Sequence, residues 1–88
     1  MGKNKAHEKF EEFLKTDKHR ITPERFEVLD YALESGGHFS ADELYQDMKN
    51  RNSNISRATV YNSLELLVKC GMLIKRNFGK NKSFYEST

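Results

Sequence analysis

One stretch, residues 56–71, constrains the fold of this chain more than any other. The side chain of Ser56 can accept a hydrogen bond from the first turn of a helix, and Gly71 suits the left-handed position after the last turn. Between these two residues, apolar side chains recur every three or four positions, at Val60, Leu64, Leu67 and Val68. This spacing predicts one amphipathic helix that packs a single face on a core.

The polar side of this predicted helix is unusual for a helix that only packs. Its N-terminal half carries Arg57, Thr59, Tyr61 and Asn62, where a recognition helix touches base edges in the DNA major groove. Tyr61 could instead be a core aromatic residue, but it lies beside Asn62 and away from the apolar stripe. We therefore predict that this helix enters a major groove and that Ser56 belongs to the same contact surface.

Charge is distributed unequally along the chain, whose formal net charge is +2. Residues 1–50 carry eight Lys/Arg and eleven Asp/Glu, a balance of −3, whereas residues 51–88 carry seven Lys/Arg and two Asp/Glu, a balance of +5. A face that binds a polyanion produces this segregation, but a solvated basic surface would do so too. Charge alone leaves both interpretations open.

Length and composition limit the other possibilities. Eighty-eight residues form one small domain with a modest core. No apolar run approaches a membrane span and no secretory segment is present, so we expect a cytoplasmic protein without a membrane partner. The one cysteine, Cys70, excludes an internal disulfide and is expected to be a small buried side chain. No nucleophile–base pair, phosphate-binding glycine loop or paired carboxylate motif appears, so an enzyme is not expected.

Three further helices are predicted upstream of Ser56. The first is amphipathic and covers residues 6–16, with residues 1–5 expected to be flexible. The second begins at Thr22-Pro23, as N-cap and first helical residue, and ends at the glycine pair 36–37. The third begins at Ser40, which forms a capping box with Glu43, and ends near Arg51.

After Gly71 the apolar pattern changes from helical to extended. Residues 72–78 and 83–86 are predicted strands, with a turn at 79–82 between them. A two-stranded hairpin is unstable alone, so it must pack on the helices. The predicted fold class is mainly α with a small antiparallel β-hairpin, a winged helix-turn-helix with Lys80 and Lys82 at the tip of the wing.

Four stretches resemble the N-terminal DNA-binding domain of the ferric uptake regulator (Fur) family. They are residues 20–25, 38–45, 55–62 and 79–86, in family order and at family spacing. The resemblance implies a bacterial, metal-responsive transcription regulator, a repressor that acts as a homodimer on double-stranded DNA. It also implies that residues 1–88 are one domain of a longer protein, whose C-terminal dimerisation and metal-binding domain is absent from this chain.

The resemblance also assigns roles to single residues. Tyr61 matches a family tyrosine that lies against bases, and Arg20 matches a basic residue that reaches toward the minor groove. Many Fur proteins have arginine where this chain has Asn62, and asparagine favours adenine. We therefore expect an A/T-rich operator, with phosphate contacts from Arg20, Arg57 and the wing lysines. Peroxide-sensing members of the family also have asparagine at the position of Asn62, so the resemblance does not determine which signal the protein senses.

His38 and Glu86 match family positions that help to hold the regulatory metal. Two ligands cannot fix a transition metal tightly, because such sites need several ligands in a set geometry. We therefore expect no metal cofactor in this fragment, and Fe, Zn or Mn in the full-length protein. His38 could instead be an ordinary loop histidine, and His7 and His19 are expected to be surface residues without partners.

An alternative function is a winged-helix protein-interaction module that does not bind DNA, because a fold does not fix a function. Such a module would present an apolar or acidic face in place of the basic C-terminal half. Its sequence would otherwise predict the same helices and hairpin.

Overall fold

The computed structural model describes residues 2–35, 37–77, 79 and 83–87, with side chains from residue 5 onward. Its elements follow the order helix, helix, helix, helix, strand, strand, which confirms the predicted winged helix-turn-helix class. They are α1 (Gly2–Thr16), α2 (Pro23–Ser35), α3 (Ala41–Asn50), α4 (Arg57–Cys70), β1 (Leu73–Asn77) and β2 (Ser83–Ser87). Within the described part of the chain, no helix is both long and apolar enough to span a bilayer.

The helix-turn-helix pair α3 and α4 has the boundaries that its sequence predicts. The capping box is complete, because Ser40 Oγ accepts from the Glu43 amide at 3.1 Å and Glu43 Oε1 accepts from the Ser40 amide at 2.9 Å. Ser56 Oγ accepts from the Thr59 amide at 3.2 Å, and Gly71 ends α4 with a φ of 88°. Each N-cap contributes about 1 kcal/mol, so local sequence fixes where both helices begin.

The hydrophobic core is centred on α4, which contacts all three other helices and β1. The predicted residues Val60, Leu64 and Leu67 are fully buried, and Val68 packs at the edge of the core. Ser63 and Leu66 are buried as well, although the predicted stripe did not include them. A helix covered on several sides buries more than one stripe, which explains the wider buried face. Its fully buried partners on the other helices are Phe10, Leu14, Val28, Leu29, Leu44 and Met48.

The ends of α1 and α4 differ from expectation in two details. The structure begins α1 at Gly2, so the predicted start at Ala6 is wrong by four residues. Residues 2–5 contain no proline and include lysines, which are good helix formers, so the helix continues beyond the apolar stripe. Cys70 is half-buried and not fully buried, and partial burial against α1 raises the pKa of its thiol.

His7 and His19 both have partners, so the expectation of unpaired surface histidines is wrong. His7 Nε2 lies 2.7 Å from Asp30 Oδ1, and the His7 ring lies 5.1 Å from that of Phe26, which ties α1 to α2. His19 Nε2 lies 2.8 Å from Asp17 Oδ2 in the connection after α1. The His7 contact depends on how α1 packs on α2, and local sequence does not encode that packing.

The hairpin is antiparallel and pairs Leu73 with Ser87 through to Asn77 with Ser83. Both predicted strands are present, with β1 starting one residue later and β2 ending one residue later than expected. Phe78, Lys80 and Lys82 lie outside the described residues, and so does the predicted position of the lysines at the wing tip.

Tyr85 attaches the hairpin to the helices. It is 4% exposed, and its backbone forms a two-way bridge with Phe39, with N···O distances of 2.7 and 3.1 Å. The Tyr85 hydroxyl donates to Glu65 Oε2 on α4 at 3.0 Å. The hairpin is therefore held on two sides, by the segment before α3 and by α4.

Candidate nucleic-acid interface

The exposed side of α4 meets the first turn of α3 at Asp42. Tyr61 is 41% exposed, and its hydroxyl donates to Asp42 Oδ1 at 2.8 Å. Arg57 Nη1 lies 3.6 Å from the same oxygen, and the Arg57 guanidinium lies 4.9 Å from the centre of the Tyr45 ring. The last distance is typical of a cation–π contact. Two of the predicted contact residues, Arg57 and Tyr61, are thus held side by side by groups on α3.

Tyr61 is not a core residue, so the alternative interpretation of its role is wrong. The hydrogen bond to Asp42 is the main reason that the pKa of Tyr61 lies above its ordinary value, and nearby Arg57 lowers this pKa by a smaller amount. The hydroxyl is therefore protonated at neutral pH. An exposed aromatic ring with a fixed hydroxyl suits a binding surface, because it loses little conformational freedom on contact.

A polar cleft of about 410 Å³ separates the connection before α2 from the N-terminus of α4. Arg25 donates a hydrogen bond to the Arg20 carbonyl and so holds the backbone of that connection. The cleft brings together four residues that the sequence predicted as a contact surface: Arg20, Ser56, Thr59 and Asn62. They come from two segments of the chain that are separated by α2 and α3.

The hydroxyls of Ser56 and Thr59 are hydrogen-bonded to each other within this cleft. Their hydroxyl oxygens lie 2.9 Å apart, and Ser56 Oγ also accepts from the Thr59 backbone amide. One of the two hydroxyl protons is used in this contact, so the pair retains one for an external group. Asn62 lies on the same side of α4 and is exposed.

Carboxylates bind several of the basic residues in the C-terminal half of the chain. Lys75 Nζ lies 3.0 Å from Glu65 Oε2, and Arg76 Nε donates to Glu86. The hydrogen bond from Lys75 lowers the pKa of Glu65, and a second bond from Tyr85 acts in the same direction. The charge count of the sequence therefore overstates the positive charge that these strands can offer to an external polyanion.

The two predicted metal residues, His38 and Glu86, lie next to each other. His38 Nε2 is 3.6 Å from Glu86 Oε1, and the bridge between Phe39 and Tyr85 brings their backbones together. Imidazole and carboxylate are both ligands that Zn and Fe accept. Arg76 also binds this carboxylate, and its charge opposes a second cation there. Among the described residues, no cluster of three or more His, Cys, Asp or Glu side chains could hold a metal, so the pair fits only part of a metal site.

Sequence reasoning did not predict Asp42 or Tyr45 as site residues. Asp42 follows a helix cap, where an acidic residue is expected because it favours the positive end of the helix dipole. Tyr45 is half-buried on α3 beneath Arg57. Nineteen positions separate Asp42 from Tyr61, and no local pattern links them.

Comparisons with known proteins agree with one another. The sequence model described as "Ferric uptake regulator family" matches residues 16–88. The chain is 36% identical over 83 residues to the "Peroxide operon regulator" of Bacillus subtilis, covering 92% of this chain and 57% of that protein. It is 38% identical over 69 residues to the "Ferric uptake regulation protein" of Synechococcus elongatus, covering 76% and 47%.

A solved structure is similar as well. The Vibrio cholerae ferric uptake regulator, described as undergoing a rearrangement of its DNA-binding domains, matches with a TM-score of 0.73 and 29% identity. The match covers 85% of this chain and 58% of that chain. This chain spans about half the length of the curated relatives that it matches.

Proposed function

The chain belongs to the ferric uptake regulator family, and on this premise we propose that residues 1–88 form a sequence-specific DNA-binding domain. The family consists of transcription regulators and not of enzymes. In our proposal the full-length protein is a bacterial, metal-responsive repressor that works in the cytoplasm. Its target is double-stranded DNA.

The exposed N-terminal side of α4 carries the proposal. Arg57, Tyr61 and Asn62 lie within its first two turns, and all three are exposed. In helix-turn-helix proteins these turns of the second helix contact base edges. The hydrogen bond from Tyr61 to Asp42 supports this role, because it orders a large exposed side chain that packing in the core does not require.

The proposed contacts divide into two kinds. Arg20, Arg57, Lys80 and Lys82 bind phosphates and release counterions, which gives affinity without sequence information. Thr59, Tyr61 and Asn62 contact base edges, and Ser56 positions the start of α4 against the DNA backbone.

The proposed operator is A/T-rich. The side-chain amide of Asn62 matches the donor and acceptor of adenine in the major groove. Arg20 lies on the connection before α2, from which it would enter the narrow and negative minor groove of an A-tract. Asn62 and Arg20 line the same cleft, together with Thr59.

The metal-dependent part of the proposal concerns the full-length homodimer. His38 and Glu86 would supply two ligands for Fe, Zn or Mn, and residues outside this chain would supply the others. The bound metal would act as a structural link, since it would fix the orientation of this domain relative to the dimerisation domain. To bind the metal, Glu86 would have to release Arg76. Metal binding would therefore leave the positive charge of Arg76, on β1, without this partner.

A binding titration of the chain against random duplex DNA at two salt concentrations tests the proposal. We expect measurable affinity that falls steeply as the salt concentration rises. A protein-interaction module would show no such binding. The comparison needs no knowledge of the operator, because phosphate contacts occur on any duplex.

A further inference from the structure

The side chain of Asp42 determines the direction of the hydroxyl proton of Tyr61. An ionised carboxylate can only accept hydrogen bonds, so at 2.8 Å the Tyr61 hydroxyl must be the donor. A phenolic hydroxyl has one proton and two lone pairs. With its proton directed to Asp42, Tyr61 can offer only lone pairs to a third group.

Two features favour the charge of Asp42 at this position. Asp42 lies in the first turn of α3, where the helix dipole favours its negative charge. Arg57 approaches the same carboxylate oxygen at 3.6 Å and rests on the ring of Tyr45. The direction of the Tyr61 hydroxyl is therefore set in the free protein, before any partner binds.

We propose that Asp42 is a positioning residue that determines specificity, because it makes Tyr61 a hydrogen-bond acceptor toward DNA bases. In the major groove the exocyclic amines of adenine and cytosine are donors, whereas the carbonyls of guanine and thymine are acceptors. Tyr61 would therefore favour a base that carries an exocyclic amine and disfavour a base that presents a carbonyl. This inference rests on the proposed function and adds a rule for base selection to it.

The charge of Asp42 has a second consequence. A carboxylate on a DNA-facing surface repels phosphates on any DNA. On the preferred site, a base amine that donates to Tyr61 compensates for this repulsion, whereas random DNA offers no such compensation. Asp42 therefore weakens binding to random DNA more than binding to the preferred site. It raises the ratio between the two affinities without touching a base.

The experiment begins with the wild-type chain and a random duplex library, from which a preferred site is selected. Each adenine is then replaced in turn by purine, which lacks the N6 amine, and each cytosine by pyrimidin-2-one, which lacks the N4 amine. Besides the adenine that Asn62 contacts, we expect one position at which removal of the amine weakens wild-type binding by about tenfold, the loss that a good base contact gives.

Four variants identify the origin of that loss. In Tyr61→Phe the dependence on the amine should disappear. A further duplex carries guanine in place of adenine, or thymine in place of cytosine, at that position, and wild type should bind it more weakly than the duplex that only lacks the amine, because the Tyr61 hydroxyl cannot donate to the carbonyl. In Asp42→Ala this extra penalty should disappear, because the hydroxyl is then able to rotate and donate. Asp42→Asn retains an acceptor of the same shape and should keep most of the penalty. Asp47→Ala is the matched control, because it removes the same charge from α3 at a residue that pairs with Arg51.

The possible results separate the inference from the proposed function. A carbonyl penalty that survives in Asp42→Ala, or that is lost equally in Asp42→Asn, contradicts the role of Asp42 while α4 remains in the groove. The absence of any amine dependence that Tyr61→Phe removes contradicts it too. Failure of the wild-type chain to bind any duplex would overturn both proposals. Asp42 is exposed, so the variants should fold, and circular dichroism checks this.

Discussion

The Tyr85 hydroxyl of β2 donates to Glu65 of α4 at 3.0 Å, and Lys75 of β1 binds the same carboxylate oxygen at 3.0 Å. One acidic residue of the proposed recognition helix therefore anchors both strands of the hairpin. Burial and the bond to Glu65 both raise the pKa of Tyr85, so the donor keeps its proton at neutral pH. The wing and α4 are coupled through this contact.

The stability of the domain should depend on pH through Glu65. Its pKa is lowered in the folded state, so its contribution is present above the ordinary pKa of glutamate, ~4.3, and is lost as the pH falls through the lowered value. Thermal unfolding of wild type and Glu65→Gln should therefore differ at about pH 7 and converge as the pH falls well below the ordinary pKa of glutamate. Glu12→Gln, at an exposed position of α1, is the control and should change the midpoint much less. A difference in unfolding midpoint between wild type and Glu65→Gln that does not change with pH would contradict this role of Glu65.

Leu64→Ala should destabilise the domain by about 2–5 kcal/mol, because it leaves a cavity among fully buried neighbours. That is a large part of the stability of so small a domain. Ile74→Ala is the matched control, because Ile74 is 39% exposed on β1 and its truncation should cost much less. Urea unfolding measures both changes. Equal costs at the two positions would show that the core is not centred on α4.

Affinity for duplex DNA should fall with salt at a slope of about −0.9 in log K against log salt for each phosphate neutralised. Arg57→Ala, or alanine at both Lys80 and Lys82, should make this slope shallower. Lys15→Ala is the control, because Lys15 pairs with Glu11 on α1, and it should leave the slope unchanged. If Arg57→Ala and the double variant at Lys80 and Lys82 both have the wild-type slope, these three residues do not bind phosphates.

The chain should bind Zn²⁺ weakly, with no stoichiometric tight site, because His38 and Glu86 supply only two ligands and Arg76 competes for one of them. Calorimetry of wild type and His38→Ala measures this. Any weak binding should be lost in His38→Ala. Tight one-to-one binding that survives in His38→Ala would mean that the metal is held by other residues.

Features of this fold that depend on neighbours in sequence could be predicted, and those that depend on packing could not. The capping box of Ser40 and Glu43, the cap at Ser56 and the stop at Gly71 are local, and the structure has all of them. The contact between Asp42 and Tyr61 depends on the angle between two helices. The periodicity of apolar residues in the sequence contains no information about the angle between α3 and α4, so this part of the site is visible only in the structure.

Charge was the least informative sequence feature. The excess of positive charge after residue 50 lies in the half that contains α4 and the hairpin. It did not show that Lys75 and Arg76 would be bound by carboxylates, or that acidic Asp42 would lie between Arg57 and Tyr61. Net charge counts residues, whereas binding depends on which charges already have a partner.

A comparison of affinities shows whether α4 reads DNA sequence. The affinities of wild type, Tyr61→Ala and Asn62→Ala are measured on a selected A/T-rich site and on random duplex DNA. Each substitution should cost about 1–3 kcal/mol on the selected site and much less on random DNA, because the phosphate contacts remain. Equal losses on both DNAs, or no loss on either, would contradict the claim that these residues read bases.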